Sequence, residues 1–246
     1  MWCVPRFSNP SGIVYSKDTV ERIAKLGNIA SANFRVFWDN AYSIHTLSNN
    51  APQLASIMDF CRQHGTEDSV LQFGSTSKIT FAGAGVAYMG ASSNNLNGFK
   101  KHLGVSSIGP DKINQLRHLN FFADKNSLEK HMQAHADLLN PRFNAVLSRL
   151  DKHFNGSNAL SWTIPEGGYF VSVDTQEGLA KKVGALAAEL GVKLTPAGAT
   201  FPYGKDPKDT NIRIAPSFPK LADIEKAMDA FVLCVKLATV EKALAA

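Results

Sequence analysis

Three short apolar runs, Met1–Val4, Phe34–Trp38 and Val70–Phe73, are each followed by polar residues and are separated by segments with helical spacing. Crossovers of this length predict parallel neighbours in one sheet. That constrains where any chemistry lies, because open parallel α/β sheets bind ligands outside the carboxyl ends of their strands. The residues arriving there are Asn9-Pro10-Ser11-Gly12, Asp39-Asn40-Ala41-Tyr42 and Ser75-Thr76-Ser77-Lys78. The fold class read from this pattern is α/β.

The helices between the runs carry their own signals. Ser16 is a candidate N-cap, with Asp18 and Glu21 suited to the positive end of a helix and Val20, Ile23 and Ala24 as its apolar face. A second helix is expected to start near Pro52, with Leu54, Ile57, Met58 and Cys61 on one face and Gly65 as its stop. Phe81–Ser92 reads as a further strand and 110–122 as a short helix. A longer helical pattern covers Ser127–Phe154, with Pro141 expected to kink or divide it. Beyond it lie strand patterns at Ser161–Thr163, Tyr169–Val173 and Ile212–Ile214. A helix around Leu179–Leu190 and another from Leu221 complete the pattern. The chain therefore divides, as an expectation, into residues 1–124 and a smaller α/β domain at 125–246.

A chain of 246 residues with 44% hydrophobic residues can bury a substantial core. The net charge of +5 is scattered, its tightest groups being Lys100-Lys101-His102 and Lys181-Lys182, so no stripe for nucleic acid is present. No apolar stretch is long enough to span a bilayer. Met1-Trp2-Cys3-Val4 runs straight into Pro5 without the features of a signal peptide. Cys3, Cys61 and Cys234 are odd in number and far apart, which fits a reducing compartment and a cytoplasmic expectation. His131 and His135 have helical spacing but no third ligand, so no metal site is assigned. Gly83-Ala84-Gly85 lacks the spacing of a dinucleotide loop.

The strand-end residues together suit pyridoxal phosphate (PLP), which offers a phosphate, a phenolic oxygen, a ring nitrogen and an aldehyde. Lys78, after two hydroxyl residues and before Ile79 and Phe81, is expected to be desolvated and to condense with the aldehyde. Asp39 would keep the ring nitrogen protonated, or serve as a plain turn aspartate. Tyr42 and Asn9 would donate to the phenolic oxygen, although Asn9-Pro10 also reads as a simple turn. Ser75 and Ser77 would hold the phosphate. Arg213, between two isoleucines of a strand, points away from both, as a sheet-edge cation or a substrate-carboxylate receptor.

The motifs Ser8-Asn9-Pro10-Ser11-Gly12, Trp38-Asp39-Asn40-Ala41-Tyr42, Gly74-Ser75-Thr76-Ser77-Lys78, Pro165-Glu166-Gly167-Gly168-Tyr169-Phe170 and Asn211-Ile212-Arg213 resemble, in this order, class I aminotransferases of the fold-type-I PLP superfamily. The resemblance is to an aspartate-aminotransferase-like subgroup and spans almost the whole chain. It implies a three-layer PLP-transferase fold, with part of a mainly parallel large-domain sheet and a smaller C-terminal domain. It places Lys78 as the covalent cofactor anchor and Asp39 at the ring nitrogen. Asn9 and Tyr42 fall at the phenolic oxygen, Ser75 at the phosphate, Arg213 at the substrate carboxylate and Gly168 on the substrate side. It further implies a homodimer and ping-pong transfer between an aspartate-like amino acid and a 2-oxo acid such as 2-oxoglutarate.

Two departures from the family stand out. Gly85-Val86-Ala87 occupies the place where many relatives carry a phosphate-binding arginine. The family's N-terminal arm, phosphate-cupping turn and ring-stacking aromatic residue have no counterpart, so the chain is expected to be a fragment, with exposed apolar strand edges and doubtful activity by itself. Other readings left open are a PLP-fold regulator or binding module without turnover, a PLP-dependent β-lyase or decarboxylase, and a non-catalytic remnant.

Overall fold

The computed structural model describes residues 1–48 and 50–245. The chain forms two compact units. One comprises Met1–Phe7, Val14–His45 and Pro52–Gln133, and the other Ser8–Ile13, Thr46–Ala51 and Ala134–Ala246.

The first unit is built on a four-stranded sheet in the order β1 (Trp2–Cys3), β2 (Val36–Asp39), β3 (Val70–Ser75), β4 (Ala87–Ala91). β1, β2 and β3 are parallel, as the crossovers require, whereas β4 runs antiparallel to β3 with Ser75 opposite Ala87. The sheet is thus mixed. Helices α1 (Lys17–Ile29) and α2 (Ile57–His64) cover one face, where Val20, Ile23, Ile57 and Phe60 pack with Cys3, Val36, Trp38 and Val70. Alternation along β2 leaves Phe37 and Asp39 on the other face.

Ser16 caps α1 by accepting from the Thr19 N–H at 3.2 Å. α2 begins at Ile57 rather than near Pro52, because the Ser56 hydroxyl caps it by accepting from Asp59 N–H at 3.3 Å. Gly65 ends α2 with φ 66°, the left-handed conformation of a helix C-cap. The expected strand at 81–92 is confined to β4. Two helices follow, α3 (Ser93–Ser106) and α4 (Lys112–Phe121), the first of which the sequence reading did not anticipate.

α5 (Lys125–Phe154) contains Pro141 and continues past it undivided, the proline removing a single backbone donor. In the second unit β5 (Leu160–Trp162), β6 (Val171–Thr175) and β7 (Asn211–Ile214) form an antiparallel sheet. Its core joins Phe143, Val146 and Leu150 of α5 to Val171, Val173 and Ile212. Val183 of α6 (Ala180–Glu189) and Phe231 and Val235 of α7 (Leu221–Leu244) close it. Among the described residues no helix is long and apolar enough to cross a membrane.

Candidate functional site

In the first unit the ends of β2 and β3 bring polar groups together. Asp39, half-buried, accepts from Ala41 N–H through Oδ1 at 3.0 Å and from the Trp2 indole through Oδ2 at 3.2 Å. The first bond closes the turn that the sequence allowed for. The second keeps one carboxylate oxygen on the open face. Asn40 N–H donates to Phe73 O at 2.8 Å and locks the turn to the end of β3.

That turn sets Tyr42, which is buried, with the Lys78 ammonium 4.9 Å from its ring centroid. Ser75 and Ser77 place their hydroxyl oxygens 2.8 Å apart, and Ser77 N–H donates to Ser75 Oγ at 3.1 Å. The two hydroxyls form one polar pair in the turn that carries the lysine. A Cβ at position 85 would collide with Ser77, so Gly85 allows the loop to close against this turn. A cleft of about 320 Å³ is lined by Asp39 and Ser75 with Trp2, Phe37, Phe73 and Tyr88.

Lys78 is exposed, which corrects the expectation that its neighbours desolvate it. Ile79 is buried instead, and the lysine side chain is exposed with its ammonium over the Tyr42 ring face.

The second unit holds Asn9, Gly168 and Arg213. Arg213 lies between Ile212 and Ile214, both buried in the core, and points to the opposite face. Its Nη1 donates to Asn9 Oδ1 at 3.0 Å, and its guanidinium carbon stands 4.6 Å from the Phe170 ring centroid. Nε is buried and has no hydrogen-bond partner among the described residues. A guanidinium so held, with a buried donor to spare, has the chemistry to accept an anion. Gly168 has φ 80°, and the adjacent Gly167 bridges to Thr46.

The sequence reading gave no role to Asn211, although it lies two residues before Arg213 and shares its strand face. Asn211 is buried; its Nδ2 donates to Ser172 Oγ and Asp174 Oδ1, each at 2.9 Å, and its Oδ1 accepts from Thr200 at 2.9 Å. Asn211 is therefore satisfied internally, whereas Arg213 Nε on the same face is not. Asp206 closes the preceding loop. Burial raises its carboxyl pKa, but the N–H groups of Asn211, Thr210, Lys208 and Asp209 together hold it below the usual range. His131, to which no metal role was assigned, donates from Nε2 to Ile79 O at 2.8 Å, among the rings of Phe121 and Phe122. Among the described residues no cluster of His, Cys, Asp and Glu is placed to hold a metal.

These features can be set beside known proteins. The profile of the aspartate amino-transferase family matches residues 1–246. A protein of Mycolicibacterium smegmatis named as an aminotransferase is 47% identical over 241 residues, covering 98% of this chain and 56% of that relative. An aspartate aminotransferase of Corynebacterium glutamicum is 42% identical over 241 residues, again covering 98% and 56%. The crystal structure of an aspartate transaminase from Corynebacterium glutamicum superposes with a TM-score of 0.93 at 41% identity, over 98% of this chain and 57% of the other. This chain thus spans a little over half the length of the relatives it matches. The α/β architecture is that of these transaminases, and with the profile matched from end to end the chain belongs to the aspartate amino-transferase family.

Proposed function

We propose that the protein is a PLP-dependent aminotransferase that moves an amino group between an aspartate-like amino acid and a 2-oxo acid such as 2-oxoglutarate. The observation that carries this reading is the grouping in one unit of the Lys78 amine, the Tyr42 ring and the Ser75–Ser77 hydroxyl pair, with Asp39 lining the same cleft as Ser75. These residues fit the cofactor: Ser75 and Ser77 would hold its phosphate, Asp39 its ring nitrogen, Tyr42 its phenolic oxygen and Lys78 its aldehyde carbon, and the family resemblance would add Asn9 at the phenolic oxygen. With Gly85-Val86-Ala87 beyond the lysine, the hydroxyls carry the share of phosphate binding that an arginine there would take.

When bound, PLP supplies an aldehyde for amino-group exchange and a ring that accepts the electron pair released at the substrate α-carbon. Arg213 grips the substrate carboxylate through its planar fork, with the Asn9 bond and the Phe170 ring fixing the guanidinium. Gly168 leaves the substrate side without a side chain. The Lys78 Nζ would act as the base that takes the substrate α-proton and as the acid that gives a proton back. Asp39 would accept the hydrogen bond of the ring nitrogen. The second half-reaction uses the same groups in reverse, giving ping-pong kinetics.

The family resemblance supports a homodimer. Val105, Ile108, Ile113 and Leu119, exposed around α3 and α4, supply apolar surface suited to a subunit contact. Cys3, Cys61 and Cys234 are free and buried, and burial pushes all three thiols up, which suits a cytoplasmic protein.

The direct test is to mix the chain with PLP, reduce with borohydride and map the labelled peptide. Attachment at Lys78, lost in Lys78→Ala, is the expected result. Label spread over many surface lysines would overturn the reading.

A further inference from the structure

The turn carrying Lys78 is held from outside by a histidine that takes no part in the proposed transfer. His118 of α4 is 8% exposed. Its Nδ1 lies 2.8 Å from Asn114 O, a carbonyl that can only accept, so Nδ1 carries a hydrogen. The opposite nitrogen, Nε2, faces two hydroxyls, Thr76 Oγ1 at 2.9 Å and Thr80 Oγ1 at 2.8 Å. One ring nitrogen offers a single lone pair or a single hydrogen, so it meets both hydroxyls through a shared, three-centre bond.

Both threonines are themselves fastened to the backbone that brackets Lys78. Thr76 Oγ1 accepts from Val86 N–H at 2.8 Å, while Thr76 N–H donates to Val86 O at 2.9 Å. Thr76 O accepts from Ile79 N–H at 2.8 Å and Thr80 N–H at 2.9 Å. α4 adds a second tie, Asn114 Nδ2 to Ala84 O at 2.8 Å. The residues flanking Lys78 are therefore anchored, although the lysine side chain is exposed. A long, flexible stem reaches a defined point only if its root is fixed, and this cluster fixes the root.

We infer that His118 is a positioning residue for Lys78: acting through Thr76 and Thr80, it sets where the amine and the Ser75–Ser77 hydroxyls stand toward a cofactor bearing an aldehyde and a phosphate. The inference rests on the PLP reading above for its purpose, but not for its geometry. The imidazole itself touches no reacting atom.

The test uses the full chain in three variants. His118→Phe keeps a ring against Phe81 and removes both nitrogens. His118→Gln restores one donor and one acceptor. Thr80→Val removes a single hydroxyl and leaves the histidine in place, so it remains informative if the phenylalanine variant folds poorly. Three rates are read: backbone hydrogen exchange at Ile79 and Val86, acylation of the Lys78 amine by acetic anhydride relative to exposed Lys17 and Lys100, and borohydride-trapped attachment of PLP to Lys78.

His118→Phe is expected to speed exchange at Val86 by about tenfold or more. It should slow PLP attachment by about tenfold, with a smaller loss of about threefold in Thr80→Val and most of the rate regained in His118→Gln. The relative acylation rate of Lys78 should change in the same two variants. Unchanged exchange would overturn the inference, because the latch would not hold the turn. Faster exchange with both Lys78 rates within about twofold of wild type would also overturn it, leaving His118 as packing alone. Failure of the wild-type chain to take PLP at Lys78 would defeat the PLP reading, while exchange and acylation would still decide the latch.

Discussion

The two units solve the same problem unequally. In the second, residues of α5, α6 and α7 pack with a three-stranded sheet into one buried core, and Arg213 stands on a strand whose flanking isoleucines lie in that core. In the first, one sheet face is packed while Trp2, Phe37 and Tyr88 remain 67%, 37% and 59% exposed, with Trp2, Phe37 and Phe73 touching edge to face. α3 buries none of its residues, and the only buried residue of α4 is His118. The unit with most of the proposed chemistry is the one with less apolar packing, and its turns are ordered by hydrogen bonds. A receptor for one charge can be mounted on a core strand, whereas a cluster of hydroxyls, a carboxylate and an amine needs strand ends, where burial is incomplete.

Core truncations should expose this contrast most strongly. Phe231→Ala, in the second unit, is expected to cost about 3–5 kcal/mol, because a fully buried ring leaves a cavity. Phe37→Ser in the first should cost less than about 1 kcal/mol, since the ring is already partly in water. Chemical unfolding followed by hydrogen exchange at residues of each unit gives both values, and equal losses would break the comparison.

A smaller effect is expected when the receptor alone is changed. Arg213→Lys keeps the charge but loses the planar fork held between Asn9 and Phe170. Its KM for the amino donor should rise by about 10–100-fold, with PLP attachment at Lys78 nearly unaltered. Parallel loss of attachment would show that the two sets of residues do not act separately.

Acid sensitivity is the finest distinction. In the first unit, hydrogen bonds from Ser92 and then Asn94 hold the Asp68 carboxyl below its usual range. In the second, backbone N–H groups outweigh burial and lower Asp206. A carboxyl depressed in the folded state stabilises it above the ordinary carboxylate pKa, and that contribution fades as pH falls through the lowered value. Asp206→Asn should therefore flatten the acid limb of the Tm–pH curve. Asp68→Asn should do so less, because Asp68 is exposed and its partners are side chains rather than a closed backbone loop. The reverse ranking would argue against a special role for the backbone loop.

Much of this architecture was readable from residue order. Ser16, Gly65 and the apolar face of α1 mark their helix ends by local chemistry, and the strand-end motifs follow from the alternation of strands and helices. Leu54 misled the placement of α2, because it continues the helical spacing by chance while Ser56 supplies the actual cap. α3 gave no periodic signal, as expected of a helix with no buried face. His118 was silent for a different reason. Its partners Thr76 and Thr80 lie 42 and 38 positions away, and a single histidine on a short polar helix has no local signature. The exposure of Lys78 was equally hidden, since neighbours in sequence describe the turn but not the direction of the side chain.

The bond between Asn9 and Arg213 joins residues 204 positions apart. At a synthesis rate of about 5–20 residues per second, Asn9 waits roughly 10–40 s for its partner to be made. Ser8–Ile13, and later Thr46–Ala51, belong to the second unit and are made before the strands of its sheet. Under the proposed reading, the lysine turn at Lys78 is synthesised well before the carboxylate receptor at Arg213, so the two halves of the site enter the folding chain at different times.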